Sequence, residues 1–321
     1  MAITATEIVS SFGSYYLNEG QNRNRILNLM FQDLELVKYA TPIKTDDTVY
    51  RLAKAAINNL VQAFQKAFTE KGGTVFTPNA ISLYKMKVDD SLYPDDIEAT
   101  WLGFLATLPD QERKNWPIVR YLIEALYLPQ IKQDLELYEI FNGVRVEPTP
   151  SVAGATGAGM NGIRKLLADG YGEGMHDIDL GTLTTSNIFD KVEEFVDAIE
   201  ELYQGVPMNV FMSKKWHRAY LRDKRSQGFY DMTSDADVRD SIDFTPQNVV
   251  GLASMHDSNI IWATPKANLL YLTKKDVNMT RINVEESKRQ VFFMTDFWLG
   301  LGFGLNELVW TAGVNGSGSG S

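Results

Sequence analysis

Apolar residues change spacing several times along the chain, and each change marks an element. Val49, Leu52, Ala53, Ala56, Ile57, Leu60, Val61, Phe64 and Phe68 recur at helical intervals behind Asp47, a good N-cap, and Gly72-Gly73 close the run. This predicts a helix over Asp47–Lys71. Ile81, Leu83, Met86 and Val88 predict a strand, entered through Pro78-Asn79. From Asp95 the helical period returns in Ile97, Trp101, Phe104, Leu105 and Leu108, until Pro109 stops it. Asn115 then caps a second helix, with Pro117 in its first turn, where a missing N–H costs little. That helix runs to about Phe141, with a kink predicted at Pro129.

The flanks are less regular. Gly13, Gly20, Asn22 and Asn24 interrupt the first stretch, and only Arg23–Tyr39 has helical spacing. The start reads as an arm too thin to own a core. Pro148–Gly162 (PTPSVAGATGAGMNG) is the most loop-like native segment and a natural crossing between two domains. Beyond it the pattern predicts a helix capped by Ser186 and running through Ile199 and Leu202, a strand at Met208–Met212, a helix opened by Ser213, and loop and strand over Ser241–Ala253.

The last third is the most informative. Asn259–Ala263 and Leu269–Thr273 are short apolar runs separated by Thr264-Pro265 and Asn268, and they read as paired strands. After the charged Glu285–Arg289 comes Val291–Trp298, nearly all apolar or aromatic. Gly300, Gly302 and Gly304 then alternate with Leu301, Phe303 and Leu305. Glycine at every second position bares one face of a strand to a close neighbour. The long helix Asn115–Phe141 is the expected neighbour.

Composition narrows the class. Of 321 residues, 44% are hydrophobic and 22% charged, which is ample for a folded core. Lys+Arg 31 against Asp+Glu 41 leaves a net charge of −10, a poor footprint for gripping nucleic acid. Zero cysteines exclude disulfides, thiolate metal sites and a cysteine nucleophile. Met1–Phe12 has neither the basic nor the long apolar region of a secretory signal, and no apolar run is long enough to span a bilayer. Gly316–Ser321 alternates Gly and Ser, as a flexible linker of engineered origin does.

Candidate chemistry is sparse. Gly157-Ala-Gly159-Met-Asn-Gly162 matches G-x-G-x-x-G, but Glu147-Pro-Thr-Pro150 replaces the strand that a dinucleotide site needs before it, and the helix after it is short. His176, His217 and His256 belong to no metal motif. Only His176 has close acids, Asp177 and Asp179, and it reads as a solvated turn. Asp89-Asp90 and Asp95-Asp96 read as capping and dipole-compensating residues rather than an acid–base pair. Ser213 and Ser254 lack a nucleophile-elbow context. Catalytic, cofactor-binding and metal residues are therefore expected to be none. An enzyme with its site in Val152–Gly162 would need convergent acid, base or metal residues that the sequence does not supply. Lys214, Lys215, Arg218, Arg222, Lys224 and Arg225 make one basic cluster; Lys214, Arg218, Arg222 and Arg225 share one side of a helix. That side is either a solvated face or a contact with another subunit or a scaffold.

Three stretches carry a family resemblance: I-I-W-A-T-P-K-x-N-L-L-Y, then E-x-x-K-R-Q-V-F-F-M-T-D-F-W-L-G, and upstream M-S-K-K-W-H-R-A-Y-L-R-D-K-R-S-Q-G-F-Y. With the long helical region Asp95–Asn142, this order resembles the major capsid proteins of tailed bacteriophages of the Hong Kong 97 type, over about Leu83 to Trp310. The resemblance implies an α+β capsid fold. Its parts would be an N-terminal arm (1–33), an E-loop region (34–83, containing the helix 47–71), a peripheral domain with a long spine helix (84–152), an axial domain (153–273), returning peripheral strands (274–314) and the Gly-Ser tail (315–321). The helix predicted over Asp47–Lys71 departs from the family, which has an extended hairpin there.

The function implied is self-assembly, as hexamers and pentamers, into an icosahedral shell around the double-stranded DNA of a phage or prophage. The partners would be the chain itself and scaffold, portal or decoration proteins, with no membrane and no cofactor. An encapsulin-like shell around a cargo enzyme is the alternative on the same fold. Assembly would use Lys214, Arg218, Arg222 and Arg225, and the packing of Gly300, Gly302 and Gly304.

Overall fold

The computed structural model describes residues 4–14, 34–57, 61–71, 74–228, 240–275 and 280–314. Helix α1 (Ala5–Phe12) and a turn at Leu36–Tyr39 lead into β1 (Thr41–Lys44), and β2 (Val49–Ile57) and β3 (Thr74–Ser82) form an antiparallel hairpin. Next come β4 (Tyr84–Leu92), α2 (Pro94–Thr107) and α3, a helical rod of four consecutive pieces from Ile118 to Glu139. Then follow α4 (Ile163–Gly170), β5 (His176–Asp177), α5 (Ile188–Asp197), β6 (Asn209–Ser213), α6 (Lys214–Ser226) and β7 (Asn248–Leu252). The chain continues through β8 (Ile261–Thr264), β9 (Leu269–Thr273), β10 (Thr280–Ser287), β11 (Gln290–Phe303) and β12 (Trp310–Ala312). The class is α+β.

The long strand β11 organises the first sheet. It pairs antiparallel with β10 over residues 290–297, with β4 over 291–299 and with β9 over 299–303, and β1 adds to β9 in parallel. Its odd positions Val291, Phe293, Phe297 and Leu299 are buried in one core with Ile123, Leu128 and Ile131 of the rod. Phe293 stacks on Tyr127 with ring centroids 4.3 Å apart. The second sheet has the order β5-β12-β8-β6-β7, and its core unites Val192, Phe195, Trp216, Tyr220, Val210 and Trp310.

Several expectations are corrected. The described residues of 47–71 form no helix: β2 pairs with β3 from Val49↔Ser82 to Ile57↔Thr74, and 61–71 form the irregular far end. Tyr50 and Leu52, two apart, share the face that packs near Ile81 and Leu270, so period 2 governs here. The competing helical reading lost because β2's hydrogen-bond partners lie far down the chain. Gly72-Gly73, expected to close that helix, fall outside the described residues. The strand expected over Ile81–Val88 breaks at Leu83, with β3 and β4 in different sheets. β8 and β9 do not pair with each other; each is buried along its whole length within a different sheet. Asn268 holds the crossover, donating to Thr264 Oγ1 at 3.0 Å and to Leu305 O at 2.9 Å, and accepting from Leu305 N at 2.7 Å. β12, expected with the returning strands of the first sheet, stands in the second.

Helix ends also differ. The rod is capped by Pro117 rather than Asn115, whose carbonyl instead accepts from Arg120 at 2.7 Å. Pro129 lies inside the rod, preceded by a stretch of wider turns at Tyr121–Tyr127, which accommodates a ring with no N–H to donate. Asn187, not Ser186, precedes α5, and the Asp223 carboxylate accepts from Phe189 N at 3.0 Å. α5 ends before Leu202, which is exposed. Ser213 does open α6, accepting from Trp216 N at 3.4 Å.

The arm is corrected in part. α1 carries a capping box, Thr4 with Glu7, and buries Ala5, Ile8 and Phe12 in the first core beside β10 and β11. Spacing of three and four residues puts all three on one face. The interrupted stretch 15–33 lies outside the described residues, as do Phe229, Tyr230 and the Gly-Ser tail.

Candidate assembly surfaces

The hairpin β2–β3 presents the most unusual surface. Its far end carries Val61, Phe64 and Phe68 at 88%, 92% and 96% exposure. Large apolar side chains so completely in water mark a contact site. At its base, Asn79 donates to Phe303 O at 2.8 Å and Gly304 O at 2.9 Å, anchoring the hairpin to the end of β11.

The glycine stripe lies under that anchor. Gly300 and Gly302 are even-numbered, so they face away from the rod, whose partners on β11 are odd. A Cβ added at Gly302 would sit 2.6 Å from Ile81 Cδ1, and one at Gly300 would sit 2.7 Å from Ser82 O. The close neighbour is therefore the base of the hairpin, not the predicted long helix. At Gly304 a Cβ would meet Asn268 Oδ1 at 3.2 Å. These glycines are packing residues inside the chain.

On α6, Arg218, Arg222 and Arg225 are exposed, whereas Lys224 is buried and bonds Asp243 at 3.0 Å and Ser241 O at 3.0 Å. Lys214 is paired with Glu35, which also accepts from Ala253 N at 2.8 Å. Next to this pair, Glu136 accepts from Glu35 N at 3.1 Å. Burial raises the Glu136 carboxyl above the ordinary range, and the Glu35 N–H pulls it only part of the way back. Residues 34–40, the rod and α6 are thus tied at one joint, which no spacing pattern announced.

The G-x-G-x-x-G loop binds the chain's own carboxylate. Glu139, at the end of the rod, accepts from Gly159 N at 3.0 Å and Met160 N at 3.1 Å. Burial holds its carboxyl high despite those bonds. His176 is not a solvated turn: it stacks on Trp310 at 5.5 Å, and its Nε2 lies 3.0 Å from Glu307 O. Asp95 and Asp96 occupy the first turn of α2 as expected, but Asp89 and Asp90 lie on β4, where Asp90 accepts from Tyr127 Oη at 2.7 Å. Among the described residues no group of three or more His, Cys, Asp or Glu is placed to hold a metal. No helix among them is long and apolar enough to cross a membrane.

No family model and no curated relative matches the sequence. Solved structures do. The capsid of a native GTA particle matches with TM-score 0.56 and 12% identity over 87% of this chain and 89% of that one. A satellite phage P4 procapsid, solved with its size determination (Sid) protein, matches with TM-score 0.53 and 12% identity over 90% and 98%. The capsid of the Myoviridae phage XM1 matches with TM-score 0.51 and 8% identity over 87% and 90%. The chain has the capsid fold of the Hong Kong 97 type. At such identities the likeness speaks for the fold, and it covers 87–90% of this chain.

Proposed function

We propose that this chain is a major capsid protein that self-assembles, as hexamers and pentamers, into an icosahedral shell around the double-stranded DNA of a tailed phage or prophage. The observation that carries the reading is the projecting hairpin with its water-exposed Val61, Phe64 and Phe68. Burying each large apolar side chain is worth about 1.5–3 kcal/mol, a gain this chain forgoes as a single subunit and recovers against a neighbour. Many such modest contacts, closed by symmetry, hold a shell through effective concentration.

The role is structural rather than enzymatic. In this reading the rod and the first sheet make the peripheral domain, with the rod as its spine, the second sheet with α5 and α6 makes the axial domain, the β2–β3 hairpin is the E-loop, and 1–33 are the arm, of which α1 packs on the first core. A net charge of −10 suits a wall that encloses DNA without adhering to it. Assembly would take place in the bacterial cytoplasm, with scaffold, portal or decoration proteins as further partners.

Negative-stain microscopy and light scattering of the purified protein test the proposal. Hollow shells or capsomer rings are expected; a monodisperse monomer at high concentration, across salt and crowding conditions, would defeat it. Particles filled with a protein cargo instead of DNA would move the assignment to an encapsulin-like compartment.

A further inference from the structure

The outer face of α6 is exposed along most of its length. At about 100° per residue, Lys214, Arg218, Arg222 and Arg225 fall in one stripe, on the side opposite the buried Trp216, Tyr220 and Asp223. Lys214 is held by Glu35, and Arg218 turns its Nε back to Lys214 O at 3.2 Å. Arg222 and Arg225 are exposed and meet no carboxylate among the described residues.

A second face of the same unit has the opposite sign. Glu193 and Asp197 on α5, with Asp243 and Phe244, line a hollow of about 430 Å³. Asp243 is already engaged by Lys224, so Glu193 and Asp197 remain for a cation from outside. Burial, and then the charges of Asp190, Asp243 and Asp197, hold the Glu193 carboxyl above the ordinary range, so an arriving cation relieves repulsion there. Phe244 stands fully exposed at the same hollow, an open aromatic face on which a guanidinium stacks well. Within one copy α6 meets Asp243 of this hollow through Lys224, whereas Arg222 and Arg225 lie on another side of the helix. Contact between two different patches on identical chains is head-to-tail, and such contacts close into a ring when the rotation between copies divides a full turn.

We propose that the Arg218–Arg222–Arg225 face of α6 docks on the Glu193–Asp197–Phe244 hollow of a second copy, as the charged contact between neighbours around a capsomer ring. This rests on the shell-subunit reading above. Charge complementarity selects the occupant: the surface is basic, the chain as a whole is acidic, and the hollow offers carboxylates and an aromatic face together.

Reciprocal charge reversal in the full chain tests it. Arg222→Glu with Arg225→Glu makes both faces acidic; Glu193→Lys with Asp197→Lys makes both basic. Each double variant should keep the parent's circular dichroism and lose assembled particles by about tenfold or more. Combining all four substitutions in one chain should restore assembly, because every copy then meets its opposite in a ring of any size. Either double variant assembling like the parent, or a folded fourfold variant that stays unassembled, overturns the contact. Where reversal disturbs folding, Arg222→Gln with Arg225→Gln decides: assembly should weaken and lose part of its salt dependence, and an unchanged salt profile overturns the proposal. A parent that never assembles defeats the shell reading itself, whereas assembling double variants defeat this contact alone.

Discussion

Strand β11 and the β2–β3 hairpin are both extended, yet they stand at opposite ends of the scale of self-sufficiency. β11 is paired on both edges along most of its length, and one face is buried against the rod. The hairpin has only its own two strands, a small cluster at its base around Ile81, Leu83, Leu270 and Leu272, and a far end in water. A lone two-stranded hairpin is marginal. β11 therefore supplies stability to the single chain, while the hairpin offers surface that becomes stabilising only against another molecule. The two meet at Gly300 and Gly302, where the base of the hairpin lies on the bare face of β11.

The largest effect should come from the buried face of β11. Phe293→Ala removes the ring stacked on Tyr127 and should cost about 3–5 kcal/mol, read as a lowered melting midpoint of the unassembled subunit. A loss below about 1 kcal/mol would mean that the rod and strand do not form a close-packed pair.

At the junction, Gly302→Val drives a branched side chain into Ile81, and overpacking of this kind costs about 1–3 kcal/mol. An unchanged or raised midpoint would show that the base of the hairpin lifts freely from β11, and that its own cluster is not part of the folded core.

Phe64→Ser with Phe68→Ser should do almost nothing to the subunit, within about 0.5 kcal/mol, and should sharply reduce assembled particles by sedimentation. A large drop in midpoint would place these rings in the chain's own core and erase the contrast with β11.

The smallest effect concerns the joint beside α6. The Glu136 carboxyl, raised in the folded state, binds its proton more tightly there than in the unfolded chain. Its contribution to stability is therefore fully present below the ordinary value of 4.5 and is lost as pH rises through the raised value. Glu136→Gln resembles the protonated form, so its midpoint should sit slightly above the parent's at neutral pH, with the gap closing as pH falls toward 4.5. A gap of opposite sign, or one that does not change with pH, would show that the carboxylate is stabilised in place.

Which of these features could be read ahead of the structure depended on where their partners lie. The helices α2 and α6 and the strands β6 and β9 were legible because their caps, breakers and apolar periods sit within the element. The hairpin was not. Val49, Leu52, Ala56 and Leu60 fit a helical period, and nothing local reveals that Val49–Ile57 finds its hydrogen bonds on Thr74–Ser82. The direction of the glycine stripe was half legible: alternation announced a bare face, but Phe292 and Met294 are as apolar as Val291 and Phe293, so parity alone did not say which side held the rod. Of the candidate residues, Arg218, Arg222 and Arg225 stand together on one exposed face as their spacing implied, whereas Lys214 is drawn to Glu35. The Glu35–Glu136–Lys214 joint and the Glu193–Asp197–Phe244 hollow gave no signal, since each collects side chains from distant segments.

By itself the sequence determined the absence of thiol chemistry, the existence of most helices and strands, and the presence of a glycine face needing a close neighbour. Those follow from local propensity, composition and spacing, which act over a few residues. Tertiary structure alone decided that 49–82 is a hairpin, that β8 and β9 belong to different sheets, that Ala5–Phe12 joins the core, and that the glycines receive Ile81 and Ser82 rather than the rod. Each of these is a choice among partners far apart in the chain, made by hydrogen-bond pairing and apolar burial that come into being only when those segments meet.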